Sequence, residues 1–418
     1  MNERSHERTP VQASGHPSGH PAAHPGKHPA NHPGGKSEGH PGGHPGNIGH
    51  GGQGPRGAHG PTATLEDGSP VCRLIAWEVT RSCNLACKHC RAEAHLEPYP
   101  GELSTDEAKA LIDTFPDVGN PIIIFTGGEP LMRHDIFELV AHAKSKGLRC
   151  VMAPNGTLVT AEIARKMVEA GIERCSLSVD GPDAATHDEF RGVEGSFQGV
   201  LNAIEHFKSV GLEFQINTTV TRGNLGSFKD IFQLAERVGA AAWHIFLLVP
   251  TGRAAQLGAE VISAEEYENV LNWFYDFRKT TTMQLKATCA PHYHRILRQR
   301  AKEDGTPVTF ENFGLDAVSR GCLGGVGFCF ISHTGQVQPC GYLELDCGQV
   351  KQTPFPQVWR ASRQFLNLRD PKTYTGKCGS CEYERVCGGC RARAATMRGD
   401  YLAEEPLCSH TPRKGGGK

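Results

Sequence analysis

Between residues 72 and 260 the chain alternates two hydrophobic patterns. Short runs rich in Ile, Val and Leu at 74–79, 121–125, 149–153, 174–179, 213–220 and 241–249 are mostly apolar on successive residues. Parallel strands covered on both faces have that appearance. Between them, residues 104–115, 134–146, 160–170, 195–210 and 225–238 repeat apolar positions at helical spacing. Ser104 and Thr160 open two of these segments as N-caps, and Gly147, Gly171, Gly211 and Gly239 close four. Six strands alternating with helices predict βαβ units wound right-handed into a parallel sheet. The strand count is short of a complete eight-stranded barrel. Residues 263–305 read as helical, with an N-cap at Ser263, so 261–318 forms a helical bridge. After Cys322 the pattern breaks into short segments punctuated by Cys and Gly, ending near Cys408. That predicts a small module over 319–412, too poor in core to stand without metal ligands.

The chemically unusual residues follow the strands. They are a cysteine loop after the first, Thr126-Gly127-Gly128-Glu129-Pro130 after the second, Pro154-Asn155-Gly156-Thr157 after the third and Asp180-Gly181-Pro182 after the fourth. Thr221-Arg222-Gly223 and Pro250-Thr251-Gly252-Arg253 follow the last two. In parallel α/β sheets the C-terminal strand ends form the ligand site.

Composition adds boundaries. Of the 418 residues, the first 62 are almost wholly Gly, Pro, His, Ala and small polar types, which predicts a disordered arm. Its ten histidines suit loose binding of Ni²⁺, Zn²⁺ or haem. Residues 414–418 read as a frayed end. A formal net charge of −1 argues against a nucleic-acid partner. No apolar run reaches the ~20 residues of a membrane span, and no secretory signal opens the chain, so a cytoplasmic protein is expected. Sixteen cysteines in such a setting point to metal rather than disulfides.

Cys83-x3-Cys87-x2-Cys90 lies directly after the first strand. Three thiolates in a tight loop suit three irons of a [4Fe–4S] cube, leaving the fourth iron open for chemistry. A zinc site completed by His89 or His95, or a helix burying the three cysteines, would use the same spacing. With Gly127-Gly128-Glu129-Pro130 one βα unit later, the sequence resembles the radical S-adenosylmethionine superfamily; His89 stands where that family usually has an aromatic residue. The resemblance implies a partial (β/α)₆ barrel, and Cys83, Cys87 and Cys90 as ligands of the catalytic cluster. It also implies that Gly127, Gly128, Glu129 and Pro130 meet the methionine amino group. Asn155, Ser178, Asp180 and Asn217 would make polar contacts to the ribose and methionyl parts. The implied chemistry is reductive cleavage of S-adenosylmethionine to a 5′-deoxyadenosyl radical. A low-potential donor of ferredoxin or flavodoxin type would supply the electron, and a monomer is expected.

A second constellation comprises Cys322, Cys329 and Cys340, then Cys378-x2-Cys381-x5-Cys387-x2-Cys390, then Cys408. It resembles the SPASM extension of radical enzymes, which carries auxiliary [4Fe–4S] clusters; a zinc ribbon is the other use of such pairs. The resemblance implies one cube on Cys322, Cys329, Cys340 and Cys390, and another on Cys378, Cys381, Cys387 and Cys408. Cys347 is left over, and the spacing before Cys390 is one residue shorter than usual. Cys72, Cys150 and Cys175 read as buried small hydrophobes. Cys289, His292, His294 and Arg295 cluster between barrel and module as substrate candidates, fit to ligate a haem-type iron, donate a proton or pair a carboxylate. A polar helix start is the plainer reading of the same residues.

The stretches from Arg73 to Cys83, Ala287 to Arg295 and Cys340 to Leu343 resemble tetrapyrrole-modifying members, namely the haem b synthases of the sirohaem-dependent route. That implies conversion of two propionates of iron-coproporphyrin III to vinyl groups, with loss of CO₂. Arg73, Arg91, Arg253 and Arg295 are candidate partners for the porphyrin carboxylates. A peptide or protein maturase, another tetrapyrrole step such as haem d1 formation, and a non-enzymatic metal-handling protein are the alternatives.

Overall fold

In the computed structural model, which describes residues 63–413, the six apolar runs become β1 (Leu74–Thr80), β2 (Ile122–Gly127), β3 (Cys150–Met152), β4 (Ile172–Ser178), β5 (Glu213–Val220) and β6 (Ala242–Leu247). They pair in parallel in chain order. The arm over 1–62 and the end at 414–418 lie outside the described residues. No described helix is long and apolar enough to cross a membrane.

The helices match their sequence signals. Ser104 and Glu107 form a capping box on Thr105–Asp113. Thr160 caps Ala161–Ala170, which ends on Gly171 in the left-handed region at φ 106°. Ile136–Ser145, Ser196–Ser209 and Phe228–Arg237 complete the expected set. One helix, Ala184–Arg191, was not expected. Only Phe190 in it is a large apolar residue, so it carries almost no hydrophobic period; Asp183 starts it by accepting from the Thr186 N–H.

The sheet is wider than the sequence suggests, and here two expectations need correction. The stretch 263–305 is not wholly helical: between the helices Ala264–Phe277 and Tyr293–Glu303 lies β7 (Gln284–Thr288), parallel to β6. Its sequence, Gln-Leu-Lys-Ala-Thr, has one large apolar residue, too little for a buried-strand signal. The C-terminal module is also not separate from the sheet. β8 (Phe328–Ile331) runs parallel to β1, and antiparallel β9 (Gln336–Gln338) and β10 (Gly348–Gln349) follow, giving ten strands in the order β10-β9-β8-β1-β2-β3-β4-β5-β6-β7.

Two tryptophans show which face meets the helices. Trp77 in β1 packs on Phe115 and Phe125, and Trp243 in β6 lies among Phe228, Phe232, Phe274 and Phe277. Residues alternating with this buried set, such as Ser176, Ser178, Gln215, Asn217 and His244, are half-buried on the opposite, concave face. The strand ends and this concave face hold the chemistry.

Candidate active site

The loop after β1 brings Cys83, Cys87 and Cys90 together and is tied down from several sides. Cys83 N–H donates to His95 O at 2.8 Å, and Cys90 N–H to Cys87 O at 3.2 Å. Arg253, from the loop after β6, donates through Nε to Cys87 O at 2.8 Å and through Nη1 to Ala94 O at 3.0 Å. Arg191, from the unexpected helix, reaches Cys87 Sγ at 3.8 Å and forms a buried ion pair with Asp180. His89 stacks on Phe190, ring centroids 4.3 Å apart, so it takes the aromatic role expected at that position and is not turned to the cysteines as a ligand.

Burial pushes the Cys83 thiol up to about 12 and raises Cys87, against the pull of Arg191. Thiols this deep do not ionise unaided, whereas coordination by iron reverses that balance. The Leu85 N–H already points at Cys83 Sγ, at 3.4 Å. The donor set therefore fits a cluster held by three thiolates.

Gly127 and Gly128 are required by close packing. A Cβ on Gly127 would collide with Thr80 O, and one on Gly128 with Arg81 O and Ser82 O. Their absence lets Gly128 N–H donate to Thr80 O at 2.9 Å and Glu129 N–H to Ser82 O at 2.8 Å, pressing the turn against the cysteine loop. Glu129 is fully buried and accepts from Asn155 N–H at 2.6 Å and Leu131 N–H at 3.0 Å. Burial outweighs those bonds and pushes its carboxyl up to about 7. No cation pairs with it among the described residues.

Of the other expected cofactor contacts, Asn155 donates to Asn84 Oδ1 at 2.7 Å and lies 3.9 Å from Cys83 Sγ, bracing the loop. Ser178 and Asn217 sit opposite each other in β4 and β5 on the concave face. Asp180 faces Arg191 and accepts from Thr219 N–H at 2.7 Å; Arg191 holds its carboxyl below the usual range, against burial. Sequence reasoning missed Arg191 and the carboxylate of Glu78, and it offered Arg253 for substrate carboxylates, whereas its guanidinium braces the cysteine loop. Glu78 is fully buried in β1 and pairs with Arg81 at 3.0 Å, Arg91 at 2.9 Å and His333 at 2.8 Å. An acidic residue within an apolar strand was the available signal.

The C-terminal cysteines fall into two groups. Cys378, Cys381, Cys387 and Cys408 line one cavity with His292 and Arg295. Backbone N–H groups two residues on point at two of these sulfurs, Tyr383 at Cys381 at 3.4 Å and Gly389 at Cys387 at 3.5 Å, while Arg391 reaches Cys378 at 3.3 Å. His292 is fully buried, yet neither ring nitrogen has a hydrogen-bond partner. Burial holds it down to about 4, so it is neutral and has one N–H to offer. An unmet buried donor costs ~1–3 kcal/mol. Cluster sulfur facing it would meet that need, so the cavity fits an iron–sulfur group.

The other group corrects an expectation. Cys340 lies beside Cys390 and Cys322, and the Cys289 thiol hydrogen-bonds the Cys390 sulfur and adjoins Cys340. Cys329 does not join them. It points from β8 into the apolar core, fully buried beside Cys72 and Cys347, because strand alternation places it on the helix-facing side with Ile75, its partner in β1. Cys289, at φ 53°, takes the place expected for Cys329. The candidates of 288–295 are thus divided. Cys289 belongs to this group and His292 to the other cavity. Arg295 pairs with Glu268 at 2.5 Å, and His294 is buried near Lys286 and Arg298. Tyr342 packs in one cluster with Cys289, Cys340 and Cys390 and is within electrostatic reach of Cys90 and Arg91, so the Cys289 group lies on the triplet's side of the module.

Residues 77–235 match the radical SAM superfamily and residues 322–390 the SPASM iron–sulfur cluster-binding domain. The chain is 73% identical over 357 residues to an AdoMet-dependent heme synthase of Nitratidesulfovibrio vulgaris, covering 85% of this chain and 97% of that protein. It is 50% identical over 342 residues to an AdoMet-dependent heme synthase of Methanosarcina barkeri, covering 82% and 97%. In fold it is similar to Streptococcus suis SuiB, solved bound to S-adenosylmethionine, at TM-score 0.63 and 16% identity over 82% of this chain and 78% of that one. S-adenosylmethionine and iron–sulfur clusters are accordingly its cofactors. The cysteine loop, the turn packed against it and the C-terminal thiols share one origin: the chain belongs to the radical SAM superfamily, among the SPASM-bearing enzymes of the AdoMet-dependent heme synthase family.

Proposed function

We propose that this enzyme converts two propionates of iron-coproporphyrin III to the vinyl groups of haem b. Each propionate gives up a hydrogen atom, an electron and CO₂ to become a vinyl group. Both a hydrogen-abstracting centre and an electron sink are therefore needed at one place. The observation that carries this reading is Tyr342, which packs with Cys289 and Cys340 and is also within electrostatic reach of Cys90 of the triplet. When bound, the cofactors supply the abstracting radical on the triplet side and a one-electron acceptor on the other. Cys83, Cys87 and Cys90 hold the first cluster. Cys289, Cys322, Cys340 and Cys390 hold an auxiliary cluster, and Cys378, Cys381, Cys387 and Cys408 another. An electron carrier of ferredoxin or flavodoxin type serves as the external partner.

The decisive assay mixes anaerobically reconstituted enzyme with S-adenosylmethionine, a reductant and iron-coproporphyrin III, and follows pigments by absorbance and mass. Loss of two CO₂ units is expected. Competent S-adenosylmethionine cleavage without that loss sinks the reading.

Glu129 receives the methionine ammonium of the cofactor, the cation its buried carboxyl lacks. Only the ionised form pairs with an ammonium, and protonation competes below about 7. S-adenosylmethionine affinity should thus rise with pH up to about 7 and fall again above about 8, where the free ammonium loses its proton, while Glu129→Gln should bind at least about tenfold more weakly and lose the rise below 7. Calorimetric titration across pH checks both.

The auxiliary ligand sets separate through one pair of variants. Cys289→Ala should lose the signal of one auxiliary cluster in Mössbauer or EPR spectra, whereas Cys329→Ala should keep all clusters and lose only core packing. The reverse pattern would restore Cys329 to the ligand set.

A further inference from the structure

Four parallel strands in register carry a polar rung on the concave face: Ser178, Asn217, His244 and Lys286 lie side by side across β4, β5, β6 and β7. The residues alternating with them, Leu177, Ile216, Trp243 and Leu285, are buried on the helix side, which fixes the rung's direction. Gln215 Nε2 is 3.0 Å from Asn217 Oδ1 and 3.0 Å from His244 Nδ1. Lys286 makes no hydrogen bond or ion pair to any described residue, although its charge is felt by His244, His294 and Asp316.

None of these neighbours neutralises the ammonium. Burial holds His244 and His294 down to about 3, so both are neutral. Asp316 is committed to Arg278 at 3.0 Å. Two further cations lie close by, Arg174, paired with Glu213 at 2.8 Å, and Arg298, which donates to His294 O at 2.8 Å and Ala317 O at 3.3 Å. A half-buried ammonium without a counter-ion is unfavourable unless something brings one. Three of the four arginines that sequence offers for substrate carboxylates are in the opposite situation. Arg91 is bound to Glu78, Arg253 to the carbonyls of the cysteine loop, and Arg295 to Glu268.

We propose that Lys286 binds a carboxylate of the substrate inside the barrel, with neutral His244 as the adjoining hydrogen-bonding group. This rests on the tetrapyrrole reading above, in which the carboxylate is a propionate. The methionine carboxylate of the cofactor is the other source of the same chemistry. Lys286 lies three strands beyond Ser178, roughly 14 Å along the sheet at about 4.8 Å per strand, and Glu129 follows β2, two strands further along the same sheet. That distance favours the propionate.

The test uses reconstituted enzyme without reductant. Iron-coproporphyrin III and its tetramethyl ester are titrated by Soret absorbance into wild type, Lys286→Met and Lys286→Arg, and S-adenosylmethionine is titrated by calorimetry into each. Wild type should prefer the free acid to the ester. Lys286→Met should weaken free-acid binding at least about tenfold, the scale of one charge-assisted hydrogen bond, with ester and S-adenosylmethionine affinities unchanged. Lys286→Arg should recover most of the loss, and equal iron content and melting temperature show that the variants fold. Unchanged free-acid affinity in Lys286→Met overturns the proposal. Weakened S-adenosylmethionine binding instead assigns the lysine to the cofactor and also overturns it. Wild type that binds neither porphyrin sinks the tetrapyrrole reading itself, an outcome distinct from failure of the lysine alone.

Discussion

Cys87→Ala should abolish S-adenosylmethionine cleavage while leaving iron in the C-terminal cysteine groups. Cys87 is buried at the centre of its loop, and Arg191 and Arg253 both converge on it, one at the sulfur and one at the carbonyl. Removing its sulfur leaves two thiolates for a cluster that needs three, and nearby polar groups offer no replacement. His89 is stacked on Phe190, and Asn155 is engaged with Asn84. The C-terminal groups draw on other chain segments, so they should load iron normally. Anaerobic reconstitution, iron and sulfide analysis, and detection of 5′-deoxyadenosine check both halves. Retained 5′-deoxyadenosine formation would show that the triplet does not hold the catalytic cluster.

Much of this arrangement is legible in the residues themselves. The six strands, the caps at Ser104 and Thr160, and the placement of unusual residues after each strand depend on local physics, and local physics is written locally. The two glycines of the turn after β2 are legible for a similar reason, since nothing larger fits beneath Thr80 and Ser82.

What escaped is set by partners remote in sequence. β7 carries one large apolar residue and is a strand only because β6 offers an edge. Missing it also hid the inward direction of Lys286, because a lysine in a helical stretch reads as solvated. Cys329 and Cys289 are a second instance. The resemblance to the SPASM extension implies Cys329 as a ligand, but alternation in β8 turns Cys329 into the core, and the chain leaving β7 presents Cys289 instead. Arginine roles were the least legible. Arg191 and Arg393 act by reaching segments far along the chain, which composition does not reveal.

Arg393 shows how the C-terminal module is fastened to the barrel, and its removal should be among the costliest single changes. The side chain is fully buried. It donates to Leu247 O and Leu248 O at the end of β6, to Cys289 O after β7, and to Glu405 at 3.2 Å. Glu405, also fully buried, accepts from Cys390 N–H at 2.7 Å. One guanidinium thus links two barrel strands to the loop carrying Cys390. Arg393→Ala strands the Glu405 charge and takes the guanidinium donor from Leu247 O and Leu248 O, while Cys289 O keeps the Tyr267 hydroxyl at 3.0 Å, a loss of ~3–5 kcal/mol. A large fall in melting temperature and weaker loading of the cluster at Cys289 and Cys390 are expected. Arg393→Lys should recover only part, because an ammonium restores charge but cannot span the same acceptors. Replacing Arg393 and Glu405 together by Met should cost less than Arg393→Ala, since no buried charge is left alone. If the double variant is the less stable, the pair itself, rather than the stranded carboxylate, carries the energy.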